Sequence, residues 1–225
     1  MERHKLCIIV PFRDRDAHLK EFVPAIRQYL ADSGIDHEIL VVEQTHGKPF
    51  NRAKLLNIGF LEASKDCDYF VMHDVDMIPF RNLVNNGPDY SYRDEPTHLA
   101  SAASQFNFTL PYGGYFGGVT LFPRKAFDQV NGYSNEYWGW GAEDDDMLYR
   151  CHYAGLKAAR IENGFFQSLN HDRKIDEQDY RKNIDRVKEM WDRKLDWKSE
   201  GLNSCKYEVK ERADMEGYRK VVVEI

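Results

Sequence analysis

Three short apolar runs, Leu6-Cys7-Ile8-Ile9-Val10, His37-Glu38-Ile39-Leu40-Val41-Val42 and Tyr69-Phe70-Val71-Met72, recur at intervals that each leave room for one helix. Runs of this length that do not alternate with polar residues are strands covered on both faces, so helices must pack on either side of the sheet. The first interval supplies such a helix: Leu19, Phe22, Val23, Ile26 and Leu30 recur at three- and four-residue spacing, with Asp14 or Asp16 as its expected cap and Gly34 after its end. A second helix is expected from Asn51 as N-cap, carrying Ala53, Leu55, Leu56 and Phe60. The fold class is therefore α/β, with a mostly parallel central sheet. The third run leads straight into His73-Asp74-Val75-Asp76, which places two carboxylates at the C-terminal edge of a strand, where open α/β sheets bind ligands.

Beyond residue 80 the texture changes to Asn, Gly, Pro and Tyr, with strands expected at 99–103 and 116–122 and helices at 126–130 and 144–154. A polar stretch from about 171 to 186 precedes or begins a charged helix reaching Trp197, and 206–209 and 220–224 read as closing strands. No linker interrupts the 225 residues, and 42% hydrophobic content fills a core. The expectation is one domain over 1–225, with a nucleotide-binding half at 1–80 and a donor and acceptor half at 81–225. A formal charge of −6 argues against a general binder of nucleic acid or anionic membrane. No apolar run approaches the roughly 18 residues of a membrane span, and the first residues lack the apolar stretch of a signal peptide. Cys7, Cys67, Cys151 and Cys205 form no CxxC pair, so reduced thiols in a cytosol-like compartment are the simplest reading.

Three polar clusters carry chemistry. In an extended segment Asp74 and Asp76 face the same side and can address one cation or a cation-bound diphosphate; a solvated strand end is the alternative. Trp138-Gly139-Trp140-Gly141-Ala142-Glu143-Asp144-Asp145-Asp146 combines tryptophans with four consecutive acids. Such acids suit a helix start, but aromatic faces beside carboxylates also grip sugars. Finally, Pro11-Phe12-Arg13-Asp14-Arg15 and Phe50-Asn51-Arg52-Ala53-Lys54 put arginines at strand and helix ends, suited to a nucleoside diphosphate with Phe12 or Phe50 over the base. Salt-bridged surface is the plainer reading of the same residues.

Together these segments, with Leu55-Leu56-Asn57-Ile58-Gly59-Phe60, Tyr115-Phe116-Gly117-Gly118-Val119 and Gly201-Leu202-Asn203-Ser204, resemble the β1,4-galactosyltransferase family in order and interval over nearly the whole chain. His73 before Asp-Val-Asp is similar to the branch that galactosylates xylose. The resemblance implies a GT-A fold, UDP-galactose as donor, manganese, and inversion at the anomeric carbon. By motif it implies that Phe12, Arg13, Arg15, Phe50 and Arg52 bind the uridine and diphosphate. Asp76 would ligate the metal with His171, and Asp74 would lie close by. Tyr115 would contact galactose, Trp140 would line both sites, and Gly141, Glu143, Asp144 and Asp145 would bind the acceptor or donor hydroxyls, with Asp144 as base. A loop at about 171–185 would close over the donor.

The chain departs from this pattern in two places. Relatives supply a further metal ligand as Met three positions or His two positions before His171, where this chain has Ser168 and Leu169. A family disulfide near the Asp-x-Asp strand lacks its partner, which fits a cytosolic homologue, with a luminal Golgi fragment as the alternative. A noncatalytic sugar-binding protein and a transferase of another UDP-hexose are the competing functions. A nucleotidyltransferase normally needs a glycine-rich basic loop after the first strand, and residues 11–15 contain no glycine.

Overall fold

The computed structural model describes residues 4–81, 86–170 and 175–225. Strand β1 (Leu6–Phe12) is buried along its whole length and pairs in parallel with β2 (His37–Gln44), and helix α1 (Asp16–Asp32) joins them. Helix α2 (Arg52–Glu62) leads to β3 (Tyr69–His73), which pairs in parallel on the other side of β1. Leu19, Phe22, Val23, Ile26, Tyr29 and Leu30 bury the inner face of α1 against one side of the sheet. Helix α2 covers the other side through Ala53, Leu55, Leu56, Ile58 and Phe60. Gly59 is required there, since a Cβ would overlap Ile9 Cγ2 of β1.

The Asn51 cap forms as expected, its side chain accepting from Lys54 N at 2.8 Å. The expected acidic cap of α1 does not form. Arg15 occupies the N-cap with no side-chain bond to the helix, Asp16 is already helical, and Asp14 sits in the left-handed region at φ 55°.

After β3 the chain alternates between two sheets. Strand β4 (Met77–Pro79) belongs to a small sheet, β5 (Thr97–His98) to the large one, and β6 (Ala102–Ala103) to the small one again. The strand expected at 99–103 is realised only at Ala102–Ala103; residues 99–101 carry the chain from the large sheet to the small one. Strand β7 (Val119–Pro123) pairs antiparallel with β3, and helix α3 (Arg124–Gln129) follows it directly. Helix α4 (Glu143–Tyr153), β8 (Ala159–Arg160), β9 (Phe165–Ser168) and helix α5 (Glu177–Trp191) complete the second half. Helix α5 stops before Trp197 because Arg193 turns left-handed at φ 58° and its N–H returns to Met190 O. Strands β10 (Glu208–Met215) and β11 (Tyr218–Glu224) form a hairpin whose second strand pairs in parallel with β2. The large sheet runs β10-β11-β2-β1-β3-β7-β5-β8, and the small one β4-β9-β6. Strands from both halves of the chain therefore share one sheet with a parallel centre. Among the described residues, no helix is long and apolar enough to cross a membrane.

Two buried histidines stiffen the edge where the sheets meet. His73 must donate from Nδ1 to Asp74 O (2.9 Å), so Nε2 accepts the Tyr90 hydroxyl (2.8 Å). His98 must donate from Nε2 to Gly117 O (2.9 Å), and Nδ1 accepts from Arg160 Nε (3.0 Å). Burial lowers both to about 4, so both are neutral in the fold. Unfolded histidine titrates near 6.5, so between pH 6.5 and 4 the unfolded chain binds protons that the native one does not, and stability falls as pH falls. The expected slope is up to about 1.4 kcal/mol per pH unit per histidine in that window. Urea melts of the parent and of His98→Gln between pH 7.5 and 4.5 check this: the loss below pH 6.5 should be shallower in the variant, and parallel curves would remove His98 from the account.

Candidate active site

The C-terminal ends of β1 and β3 and the N-terminal ends of α2 and α4 meet at one edge of the large sheet. Asp74 and Asp76 lie here, but not in the extended geometry expected from their spacing. The chain turns at once after β3, with Met77 N bonded to Asp74 O at 3.2 Å, because β4 must enter the second sheet. The turn is fixed from both sides: Asp74 N donates to Gly118 O (3.0 Å), and Asp76 O accepts from Leu169 N (2.8 Å). That last bond sets Leu169, just past the end of β9 and two residues before His171, beside Asp76. His171 itself lies outside the described residues. Ser168 turns its hydroxyl toward Met77 Sδ at 3.4 Å.

Arg52, the first residue of α2, joins this turn to α4. Its Nε donates to Asp74 Oδ1 at 2.6 Å and its Nη1 to Asp144 Oδ1 at 2.9 Å, with Glu143 Oε1 3.6 Å from Nη1. Its buried Nη2 has no hydrogen-bond partner among the described residues. Arg52, which the resemblance assigns to the diphosphate, is here the counterion of three carboxylates.

Burial raises Asp144 well above the ordinary aspartate range; Glu143 and Asp74 push the same way, and Arg52 opposes them. Glu143 is raised too, again by burial first and with Arg52 opposing. Asp144 reaches its place because residue 117 is glycine, where a Cβ would stand 2.5 Å from Asp144 Oδ2 and 2.9 Å from Tyr115 Cε2. Tyr115 packs edge-on against His98, Phe106 and Tyr112. Its hydroxyl is raised by burial and then by Asp144 and Asp74. Asp145 accepts the Tyr112 hydroxyl at 2.8 Å and is raised by burial.

The fourth acid of the run goes elsewhere. Asp146 is buried, paired with Arg150 at 2.6 Å and with the Tyr137 hydroxyl at 3.0 Å. Arg150 in turn donates to Gly132 O, Glu200 O and Glu200 Oε2. This pair anchors α4 in the interior while Glu143, Asp144 and Asp145 face the site. Sequence alone gives four adjacent acids; the helical rotation of 100° per residue, against the position of the core, separates their tasks.

The aromatic and basic residues divide similarly. Trp140 is 46% exposed and its ring lies 5.6 Å from that of Tyr180 on α5. The loop before α4 holds its shape through positive φ at Gly139, Gly141 and Ala142 and through Asn183 Nδ2 donating to Trp138 O at 2.9 Å. Gly139 N donates to Phe50 O, tying this loop to the start of α2. Arg13 lies over the half-buried Phe50 ring at 5.3 Å and donates to Lys48 O at 2.9 Å. Arg15 occupies the N-cap position of α1 without bonding the helix. Phe12, expected as a possible base cover, is 2% exposed and packed in the core beneath α1, so its ring is not presented to a ligand in this state. From residue 177 the expected closing loop is helix α5; 171–174 lie outside the described residues. His98 and Arg160 escaped sequence analysis, although Arg160 Nη2 holds Tyr115 O at 2.6 Å; β5 and β8, which carry them, are too short to read from periodicity.

Comparison with known proteins agrees with this architecture. Residues 1–85 match a family model described as the N-terminal region of glycosyl transferase group 7, and residues 97–172 one described as the N-terminal domain of galactosyltransferase. The chain is 39% identical to bovine (Bos taurus) β-1,4-galactosyltransferase 1 over 226 residues, covering 99% of this chain and 54% of that protein. It is 38% identical to human β-1,4-galactosyltransferase 4, covering 91% of this chain and 59% of that one. The chain thus spans little more than half the length of these curated relatives. The crystal structure of the catalytic domain of Drosophila β1,4-galactosyltransferase 7 in complex with xylobiose superposes with a TM-score of 0.83, at 33% identity, covering 99% of this chain and 94% of that one. A mutant of the same Drosophila enzyme, solved with manganese, UDP-Gal and xylobiose, superposes at 0.80. With the sheet order, the Asp-Val-Asp turn and the acidic start of α4 all in place, the chain belongs to the β1,4-galactosyltransferase family and has its GT-A fold.

Proposed function

We propose that this chain, as one domain over 1–225, transfers galactose from UDP-galactose to a saccharide hydroxyl with inversion, forming a β-linkage. The observation that carries the reading is Asp144, a part-buried carboxylate held between Arg52 and the Gly117 backbone beside Tyr115. An inverting transfer is one in-line displacement: the acceptor hydroxyl loses its proton as its oxygen bonds to C1, while the bond from C1 to the UDP oxygen breaks. Asp144 takes that proton. Its raised pKa strengthens it as a base, and Arg52 favours its ionised form against the effect of burial. Asp145 and Glu143 orient acceptor hydroxyls, Trp140 and Gly141 shape the acceptor wall, and Tyr115 lies beside the sugar. Arg52 Nη2, Arg13 and Arg15 meet the diphosphate, and Phe50 the uracil. Charge on the departing UDP is stabilised where these donors are already oriented.

The site also suits a divalent ion: Asp74, Glu143 and Asp144 carry more negative charge than Arg52 neutralises, and Asp76 stands beside the strand that leads to His171. A carboxylate and an imidazole are an appropriate pair for manganese, which when bound would offset diphosphate charge. The compartment we favour is a reducing, cytosol-like one, because the four cysteines are scattered in the sequence without a CxxC pair; a Golgi lumen is the alternative. A screen of UDP-sugars with and without manganese against monosaccharide acceptors tests the whole reading. Turnover of UDP-galactose into a β-linked product supports it, and UDP binding without transfer or hydrolysis would favour a noncatalytic sugar-binding protein.

Three outcomes are specific to these placements. Asp144→Asn should lower kcat by about 10²–10⁴-fold while UDP binding persists. In the parent, kcat should fall as pH drops through a value above the ordinary aspartate range, because protonated Asp144 cannot accept the hydroxyl proton; near-normal turnover in the variant would assign the base elsewhere. Tyr115→Leu should relax the preference for galactose over N-acetylgalactosamine by removing bulk beside the sugar, worth a few kcal/mol at most, about 1–3; competition between the two donors reads the ratio directly. Because Ser168 faces Met77 and Leu169 offers no donor, manganese should bind weakly until UDP completes the shell. Leu169→His should tighten manganese without UDP, and calorimetric titrations giving equal affinities would show that position 169 does not face the ion.

A further inference from the structure

We propose that Tyr149, Tyr153 and Trp191 form an aromatic platform that binds sugar units of an oligosaccharide acceptor beyond the one that reacts; this rests on the transferase reading above. Asp145, Tyr149 and Tyr153 are spaced four residues apart on α4 and so form one stripe. The stripe begins at the site, where Asp145 accepts the Tyr112 hydroxyl, and runs a little over two helical turns, about 12 Å, away from it. The Tyr149 ring is stacked with Tyr153 (centroids 6.3 Å apart, planes at 19°) and meets Trp191 of α5 at 5.1 Å.

Trp191 is 63% exposed, the highest value among the exposed large hydrophobic side chains of the described residues. A tryptophan serving only to pack α5 on α4 would bury its ring. Here the ring meets Tyr149, a member of the stripe that begins at Asp145, and remains largely exposed to water.

The platform is built rigidly. The Tyr153 hydroxyl donates to Met190 O (3.2 Å) and Trp191 O (3.0 Å), the last carbonyls of α5. Arg193 lies over the Tyr153 ring at 4.7 Å and closes the helix through its N–H to Met190 O. A ring held this way loses little freedom on binding. Trp191, backed by the packed Tyr149 and Tyr153 rings, presents an apolar face with a polar rim, which matches the C–H faces and hydroxyls of pyranoses. Occupation by a saccharide follows from continuity: a chain whose terminal unit is held by Asp145 must leave the site, and the stripe is the exit along which a short oligosaccharide would find aromatic faces.

The experiment uses the full chain with UDP-galactose, manganese and ladders of acceptors from one to five units, built on xylose, N-acetylglucosamine and glucose. On the ladder it accepts, the parent should show KM falling about tenfold between the shortest and longest acceptors with kcat little changed, the signature of binding shared by ground and transition states. Trp191→Ala should abolish that length dependence while leaving monosaccharide kinetics as in the parent, and Trp191→Phe should restore most of it. Length dependence that survives in Trp191→Ala, or none in an active parent, overturns the platform. No turnover on any ladder overturns the transferase reading instead, and quenching of tryptophan fluorescence by the five-unit saccharides, lost in Trp191→Ala, then decides the platform alone. A change in sedimentation of Trp191→Ala without a change in KM would mark the patch as a protein contact and reject the proposal.

Discussion

The guanidinium of Arg52 is the interaction on which the site depends. It begins α2, reaches Asp74 at the end of β3 and Asp144 at the start of α4, and so draws three elements distant in sequence to one point. Without a cation between them, Asp74, Glu143 and Asp144 would repel one another in a partly desolvated cleft, and the cost of such unpaired buried charge runs to several kcal/mol, roughly 3–5 for a broken pair. The same contact fixes the working electrostatics. Asp144 is pushed toward its neutral form by burial and its acidic neighbours and pulled back by Arg52, so its basicity is set by a balance and not by burial alone.

That balance needs a scaffold that does not yield. The neutral histidines provide it at the sheet edge, His73 under the Asp-Val-Asp turn and His98 beneath Gly117 and Arg160, each with both ring nitrogens engaged. On the helix side, Asp146 and Arg150 hold α4 from below through Tyr137, Gly132 and Glu200. Gly117 allows Asp144 to approach, and Gly59 lets α2 lie close enough on β1 for Arg52 to reach the turn. Positioning and chemistry are thus divided between neighbouring residues of the same short segments: Asp146 supports what Asp144 does, and His73 supports what Asp74 and Asp76 do.

Much of the fold is legible in the sequence because buried parallel strands and amphipathic helices have strong periodic signals. The runs at Leu6, His37 and Tyr69 each became a strand, and Asn51 capped α2 because its side chain satisfies a helical N–H locally. The errors share one physical origin. Strands β4, β5, β6 and β8 are two or three residues long and owe their existence to partners far away, so no local pattern announces them. The chain at 99–103 looks like a continuous strand, yet it crosses between sheets. Asp74 and Asp76 look extended, yet a β-turn separates them because β4 pairs with β9.

The sequence by itself determined the α/β class, the order of strands and helices in the first half, and the residue types of a nucleotide-sugar site, since these follow from burial pattern and from motifs confined to a few positions. Only the tertiary structure decided which of those residues meet. It set Phe12 in the core and Phe50 under Arg13, sent Asp146 inward and Asp145 toward Tyr112, and made Arg52 the counterion of Asp144, ninety-two positions away. The reason is that a side chain's task depends on the direction it faces and on the charge already present there. Both are set by packing between distant segments, which composition and spacing do not encode locally.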